Sequence, residues 1–199
     1  LIGRNGSGKT TLGKVLTGLI PCRDGRFIVA GSQVRQKRLS NYAYFVMQEA
    51  DHQLYKESAV EELRLGNERA SDIDERIAGI LDMLNLTDFA QHHPYALSGG
   101  QKQRLTIGTA MASSKPIVVL DEPTSGLDWG NMCAVAQAIN QLRESGRLVF
   151  VITHDIELVD LTATRVLALA EGRIADDFPL SSQAALERTR QIMLGGGLL

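Results

Sequence analysis

Leu97-Ser98-Gly99-Gly100-Gln101-Lys102-Gln103-Arg104 decides how the rest of this chain is read. Ser98, with Gln101 three residues on, has the form of a capping box, the ordinary start of a helix. Two glycines directly after the cap do nothing for the helix, since each costs about 1 kcal/mol relative to alanine in a helix interior. They make sense where another molecule must come close to bare backbone. A helix N-terminus with free N–H groups attracts anions. Residues 98–101 therefore carry two readings, a cap alone or a cap that also touches a phosphate.

Working outward, a second phosphate motif lies upstream. Gly3-Arg4-Asn5-Gly6-Ser7-Gly8-Lys9-Thr10 fits G-x-x-x-x-G-K-[ST]. Glycines let backbone N–H groups curl round phosphates. Lysine brings a point charge to the β- and γ-phosphates, and the Thr10 hydroxyl suits Mg²⁺. Leu12, Val15, Leu16 and Leu19 then recur at helical spacing and predict one buried face. Downstream, residues 117–120 form a continuous apolar run, as in a buried parallel strand, and end at Asp121-Glu122. Adjacent strand residues point to opposite faces, so the two carboxylates are expected to serve two tasks: Asp121 as a Mg²⁺ partner and Glu122 as the base that polarises water. The alternative is two acids at a helix entry. Residues 148–152 form another apolar run ending at Thr153-His154. Of the four histidines, His154 alone stands at the end of a buried strand, where α/β proteins place ligands.

The remaining stretches are plainer. Asp24-Gly25 and Gly31 read as turns around a short strand at 26–30, and Arg35, Lys37 and Arg38 as a solvated basic face. Residues 42–47 read as a strand ending at Gln48. Residues 58–112 read as mainly helical, with cap signals at Ser58/Glu61 and Ser71/Asp74. Ile73, Ile77, Ile80, Leu81 and Leu84 make a core stripe, and Glu61 and Glu62 read as solvated acids. A hairpin is expected over 166–175, a helix capped by Ser181 or Ser182 up to Met193, and a frayed end at Gly195-Gly196-Gly197.

Bulk properties narrow the class. The 199 residues are 44% hydrophobic and 22% charged with a formal net charge of -2, which is globular and no polycation seeking nucleic acid. Cys22 and Cys133 have neither disulfide-framework nor metal spacing, which suits a reducing compartment. No apolar run approaches the roughly 18 residues of a membrane helix, so any membrane role is expected to be peripheral. The start at Leu1, without Met or targeting segment, has the pattern of a fragment.

Ser98-Gly99-Gly100-Gln101 resembles the signature motif of the ABC-type ATPases, and the likeness extends from Gly3 to about Ile174. It implies an α/β fold: a P-loop core on a mostly parallel sheet, a small antiparallel part around residues 26–47 and an inserted helical subdomain at about 49–112. All of it would form one domain over 1–199, with its first strands and an adenine-stacking aromatic lying before Leu1. It implies ATP and Mg²⁺ as ligands. The nucleotide contacts would be Gly3, Arg4, Asn5, Gly6, Ser7, Gly8, Lys9, Thr10 and Thr11, with Ser98, Gly99, Gly100, Gln101 and Asp128 acting across a head-to-tail dimer. Thr10, Asp121 and the Q-loop glutamine Gln48 would hold Mg²⁺, and Glu122, His154, Gln48 and Lys9 would carry hydrolysis. Pro123-Thr124-Ser125-Gly126-Leu127-Asp128 resembles the D-loop, and Asp128 also reads as a helix cap.

The partners implied are a second ABC ATPase and a transmembrane subunit docking near residues 48–63, at the cytoplasmic face of the membrane. Asp51-His52-Gln53-Leu54-Tyr55 resembles the energy-coupling-factor importers, departing at Glu49-Ala50, where Asn-Pro-like residues would stand. Two other functions fit the same motifs. One is a soluble ABC ATPase in DNA or ribosome work, set against for the DNA-repair type by the short span from Lys9 to Ser98, and for the ribosome type by the two ATPase domains and charged linker it would show. The other is a nucleotide-binding interaction module without turnover, set against by Glu122 and His154.

Overall fold

The computed structural model describes residues 1–68 and 70–195. The chain runs β1 (Ile2–Gly3), α1 (Lys9–Leu16), β2 (Phe27–Val29), β3 (Ser32–Val34), β4 (Ala43–Val46), α2 (Ala59–Arg64), α3 (Ile73–Met83), α4 (Gly99–Ala112), β5 (Ile117–Asp121), α5 (Trp129–Glu144), β6 (Leu148–Ile152), α6 (Ile156–Thr162), β7 (Arg165–Ala170), β8 (Arg173–Pro179) and α7 (Gln183–Met193). The expected frayed end falls outside the described residues from Gly196 on.

β5 is the centre of a parallel group, β4-β5-β6, and its Val118, Val119 and Leu120 are wholly buried. A strand covered on both faces has no reason to alternate polar and apolar residues, which is why this one reads as an unbroken apolar run. A second group has the order β1-β7-β8, with β1 parallel to β7. Leu1 joins the two groups: its N–H group donates to Val151 O at 2.7 Å, and Thr153 N donates to its carbonyl at 3.4 Å. The antiparallel part is smaller than expected. β2 and β3 pair across a turn at Ala30-Gly31, but β4 lies parallel to β5, so the pairing of that region ends at Val34. Hydrophobic content alone does not distinguish a parallel from an antiparallel partner.

The face of α1 is also not the one its leucines predict. Lys9, Gly13 and Thr17, four residues apart, are the buried line, whereas Leu12, Val15 and Leu16 are half-buried and Leu19 is exposed. The reason is proximity. A Cβ at Gly13 would stand 3.0 Å from Phe45 and Val119 and 3.1 Å from Ile152. The helix sinks onto the sheet through the one position without a side chain, and the leucines flank that line.

Residues 58–112 fold around α4, which is buried on all sides from Gln103 to Ala112. The expected stripe of Ile73, Ile77, Ile80, Leu81 and Leu84 is buried against it. Two expectations fail here. α3 begins with Asp72 at its N-cap and no side-chain cap bond, so Ser71 does not cap it. Glu62 is not solvated: it is only 2% exposed, because its carboxylate accepts from the backbone N–H groups of Tyr55 and Lys56. A buried carboxylate is tolerable when backbone donors satisfy it.

Gly108 is where the helices come closest, since a Cβ there would lie 2.9 Å from Leu63, 3.1 Å from Ile80 and 3.1 Å from Leu84. Overpacking such a site costs about 1–3 kcal/mol. Gly108→Val is expected to lower the urea midpoint by an amount in that range at unchanged m-value. An unshifted midpoint would show that α2 and α3 yield without cost.

Candidate active site

The glycine loop between β1 and α1 is shaped by the sheet beneath it. Gly3 has φ 145, and a Cβ there would stand 2.3 Å from the Leu169 carbonyl oxygen of β7, so no other residue fits without moving backbone. Gly8 caps α1 at φ 100, in the region that glycine enters at no steric cost. Ser7 N donates to Arg4 O at 3.1 Å, and Gly172 N donates to Ser7 O at 3.1 Å, tying the loop to the β7–β8 turn. Lys9 points back into the loop, its Nζ donating to Gly3 O at 2.8 Å and Arg4 O at 3.1 Å. The ammonium thus lies over the carbonyls of the loop that precedes it.

This loop forms one wall of a cleft of about 760 Å³, a size that suits a small-molecule ligand. The cleft brings together Gly3, Arg4, Asn5, Gly6, Gly8, Lys9, Thr10, Thr11, Gln48, Asp121, Glu122 and His154. Met193, Leu194 and Gly195 at the end of α7 reach the same cleft, which no sequence signal indicated. Ser7 is buried, its hydroxyl lacks a hydrogen-bond partner, and it does not line the cleft.

The two acids do not part to opposite faces. β5 ends at Asp121, and Glu122 turns through a left-handed backbone at φ 49, its N–H donating to Ile152 O at 2.8 Å. Strand alternation stops there, and both carboxylates face the cleft. A non-glycine residue in that conformation costs about 1–3 kcal/mol, so the surroundings hold Glu122 in place. One restraint is His154, whose Nδ1 lies 2.8 Å from Glu122 Oε2. His154 is exposed, while Glu122 is mostly covered.

Two supports behind this pair are hard to see in sequence. Asp155 caps α6 by accepting from Glu157 N at 3.0 Å and Leu158 N at 3.1 Å, and its other oxygen accepts from the Thr124 hydroxyl at 2.9 Å. The residue after His154 is thereby fixed to the turn after Glu122. Gln53 likewise holds the end of β4 before Gln48, accepting from Met47 N at 2.9 Å and donating to Phe45 O at 2.8 Å. A cap signal at Asp155 is legible, but its partner 31 residues away is not.

Ser98, Gly99, Gly100, Gln101 and Asp128 do not line the cleft. The capping box forms, with Ser98 N donating to Gln101 Oε1 at 2.8 Å and Gln101 N to Ser98 Oγ at 3.3 Å. The two glycines then separate. A Cβ at Gly100 would stand 3.1 Å from Leu127, so packing accounts for it, whereas at Gly99 nothing lies within 4 Å. Asp128 caps α5 by accepting from Asn131 N at 2.9 Å. That backbone N–H holds its carboxyl below the usual carboxylate range, with the Asn131 amide and Arg104 adding to the effect. Lys102 Nζ reaches Asp51 at 2.6 Å, joining α4 to the segment after Gln48.

The donor set fits a hard divalent cation. Asp121 Oδ1 is buried with no hydrogen-bond partner, and the Thr10 hydroxyl lies against the same carboxyl. Among the described residues no three His, Cys, Asp or Glu side chains cluster as a metal cage. One carboxylate oxygen and one hydroxyl suit Mg²⁺, which takes one or two protein oxygens together with phosphates and waters.

Burial pushes the Asp121 carboxyl up from its ordinary value, Glu122 adding to the shift while Thr10, Lys14 and Lys9 oppose it. A carboxyl raised on folding holds its proton more tightly folded than unfolded. The stability it lends is full below the ordinary carboxylate range and is lost as pH rises through the raised value. Asp121→Asn is expected to flatten that decline in the ligand-free protein, read as urea midpoint against pH, and to abolish the Mg²⁺ dependence of nucleotide binding. An unchanged decline would mean that another group titrates.

Comparison with known proteins places this geometry in a family. Residues 1–125 match the family model described as ABC transporter. A Treponema denticola protein named as an ABC transporter ATP-binding protein is 40% identical over 187 residues, covering 94% of this chain and 38% of the relative. One from Pyrococcus furiosus is 35% identical over 181 residues, covering 87% of this chain and 70% of the relative. The chain thus spans well under half of the Treponema relative's length. Among solved structures, a dimeric ATP-binding cassette in a post-hydrolysis state, bound to ADP and Pi, superposes with a TM-score of 0.78 at 27% identity, covering 91% of this chain and 84% of that one. A cassette from Clostridium perfringens shares the fold with a TM-score of 0.75 at 24% identity, covering 98% of this chain and 82% of that one. By sequence over most of its length and by fold, the chain belongs to the ABC transporter family, among its ATP-binding proteins.

Proposed function

We propose that this chain binds and hydrolyses ATP within a head-to-tail pair of cassettes and so powers transport by a membrane partner, in an importer of the energy-coupling-factor kind. The observation that carries the reading is the Glu122–His154 contact at 2.8 Å, facing the same cleft as Lys9 and the unpartnered oxygen of Asp121.

The chain's own groups divide the work. Backbone N–H groups of residues 4–10 and the Lys9 ammonium take the β- and γ-phosphates, with Lys9 exchanging its two carbonyl partners for phosphate oxygens. Thr10 and Asp121, with Gln48 at the rim, hold Mg²⁺, which when bound supplies neutralising charge on the phosphate oxygens. Glu122 accepts a hydrogen bond from a water placed for in-line attack and polarises it. His154 keeps the Glu122 carboxylate aimed, by donating from Nδ1, and offers its exposed ring edge to the γ-phosphate side. Asp155 and Thr124 restrain the backbone on either side of that pair.

The second cassette follows from what the cleft lacks. Ser98, the open backbone at Gly99 and Asp128 lie outside the lining of this chain's own cleft and suit a neighbour's nucleotide. Residues 49–112 act as the helical subdomain, and residues 48–63 take the transmembrane subunit. Glu62 and Gln53 hold that segment in shape, and Tyr55 stands 66% exposed on it. No helix among the described residues is long and apolar enough to cross a membrane; the association in this reading is peripheral, at the cytoplasmic face. The likeness of residues 51–55 supports the importer class.

Mg²⁺-dependent ATP turnover tests the reading. Glu122→Gln is expected to lower kcat by about 10²–10⁴ while ATP still drives the chain into a dimer, measured by light scattering. His154→Ala should lose turnover as well. Turnover that survives Glu122→Gln would overturn the assignment of the base. ATP binding without turnover or dimer, with a sister cassette present, would instead favour a nucleotide-binding interaction module.

A further inference from the structure

Residues 22–38 carry five cationic side chains, Arg23, Arg26, Arg35, Lys37 and Arg38, and one acid, Asp24, in a chain whose net charge is -2. All five are exposed, and among the described residues none is in an ion pair. Elsewhere several arginines are paired with acids, as in Arg64–Asp74, Arg165–Asp177 and Arg188–Asp176. A solvated face needs no such segregation of charge.

The fold gathers three of the five. Arg23, Arg26 and Arg35 line one pocket of about 230 Å³, with Gln33 and Gln36 between them. Gln36 is fixed by donating to Ile20 O at 2.7 Å, and Gln33 by its place in the β2–β3 pair. Asp24 lines the same pocket but among the described residues is in no ion pair, so three guanidinium groups face one carboxylate, and that excess of positive charge suits phosphate oxygens, which arginine binds in bidentate geometry. Directly across from Gln33 is Ile28, on the same face of the hairpin and 68% exposed. Cations beside an exposed apolar side chain are the combination that favours a lipid interface. A single-stranded nucleic acid would need aromatic faces for its bases, and the one aromatic residue of this stretch, Phe27, is partly buried.

The position also fits. α1 starts at the glycine loop and runs back along the sheet, and residues 36–41 lead into the start of β4. The basic pocket therefore lies towards the end of the strands opposite the cleft and shares no lining residue with it.

We propose that Arg23, Arg26 and Arg35 form a docking pocket for the phosphate headgroups of an anionic lipid surface, with Ile28 entering the headgroup layer. The inference rests on the transport reading, which puts a membrane beside the cassette. Each cation near such a surface contributes about fivefold in partition.

Co-sedimentation with phosphatidylcholine–phosphatidylglycerol vesicles, against phosphatidylcholine alone, is the test. The protein is expected to pellet only with the anionic vesicles and to be released by salt. The combined Arg23→Ala, Arg26→Ala and Arg35→Ala variant should lose on the order of a hundredfold in partition, and the same three positions changed to Lys should keep most of it. ATP turnover is measured on the same samples and should be unchanged. Its absence in the parent protein would fail the ATPase reading while leaving the vesicle result legible. Three outcomes overturn the lipid inference: no binding to anionic vesicles at low salt, equal binding by the alanine variant, or arginine-dependent binding of polyuridylate or inorganic phosphate without binding of vesicles.

Discussion

Helix α1 rests on the parallel sheet through Gly13, and the geometry of the cleft depends on that close approach. With Phe45 and Val119 3.0 Å and Ile152 3.1 Å from where a Cβ would be, closer than ordinary contact, the helix lies nearer the sheet than a side chain there would allow without movement. Lys9 is one turn earlier on the same line, and Thr10 is next to it. Lowering the helix lowers both onto the end of β5, so Thr10 meets Asp121. A larger residue at Gly13 would lift the loop away from the carboxylate without touching any group that contacts a ligand.

Much of the site was legible because its chemistry is written in contiguous residues. The glycine loop, the acids after residues 117–120, and His154 after residues 148–152 all sit where a buried strand ends, and the fold does place them round one cleft. What was not legible depends on distance or on backbone turns. The apolar face of α1 was misjudged because a glycine gives no hydrophobic signal. The opposite-face reading of Asp121 and Glu122 failed because the strand ends between them, and periodicity carries no information past that point. Glu62 looked solvated because its two partners are backbone groups, which composition cannot reveal. The parallel placing of β4 rests on its pairing with a strand far along the chain.

The helical region is not loosely attached to the rest. Lys102 on α4 reaches Asp51, which lies just after Gln48, and Gly100 packs against Leu127 in the turn that carries Thr124. Thr124 in turn holds Asp155, beside His154. Residues 98–102 are therefore linked both to the Gln48 segment and to the turn that supports the histidine. A shift of α4 against the sheet has to change one of these contacts.

Glu122 has a consequence of a different kind. Its left-handed backbone is a local expense that glycine would remove, and Asp121 beside it buries a carboxylate oxygen without a partner. Two neighbouring positions thus hold the chain below the stability its fold could reach. Selection for heat resistance alone, blind to chemistry, would be drawn to these two positions and would erase the acids first. Improved variants of this cassette are better sought far from the strand ends, where added stability and retained chemistry do not oppose one another.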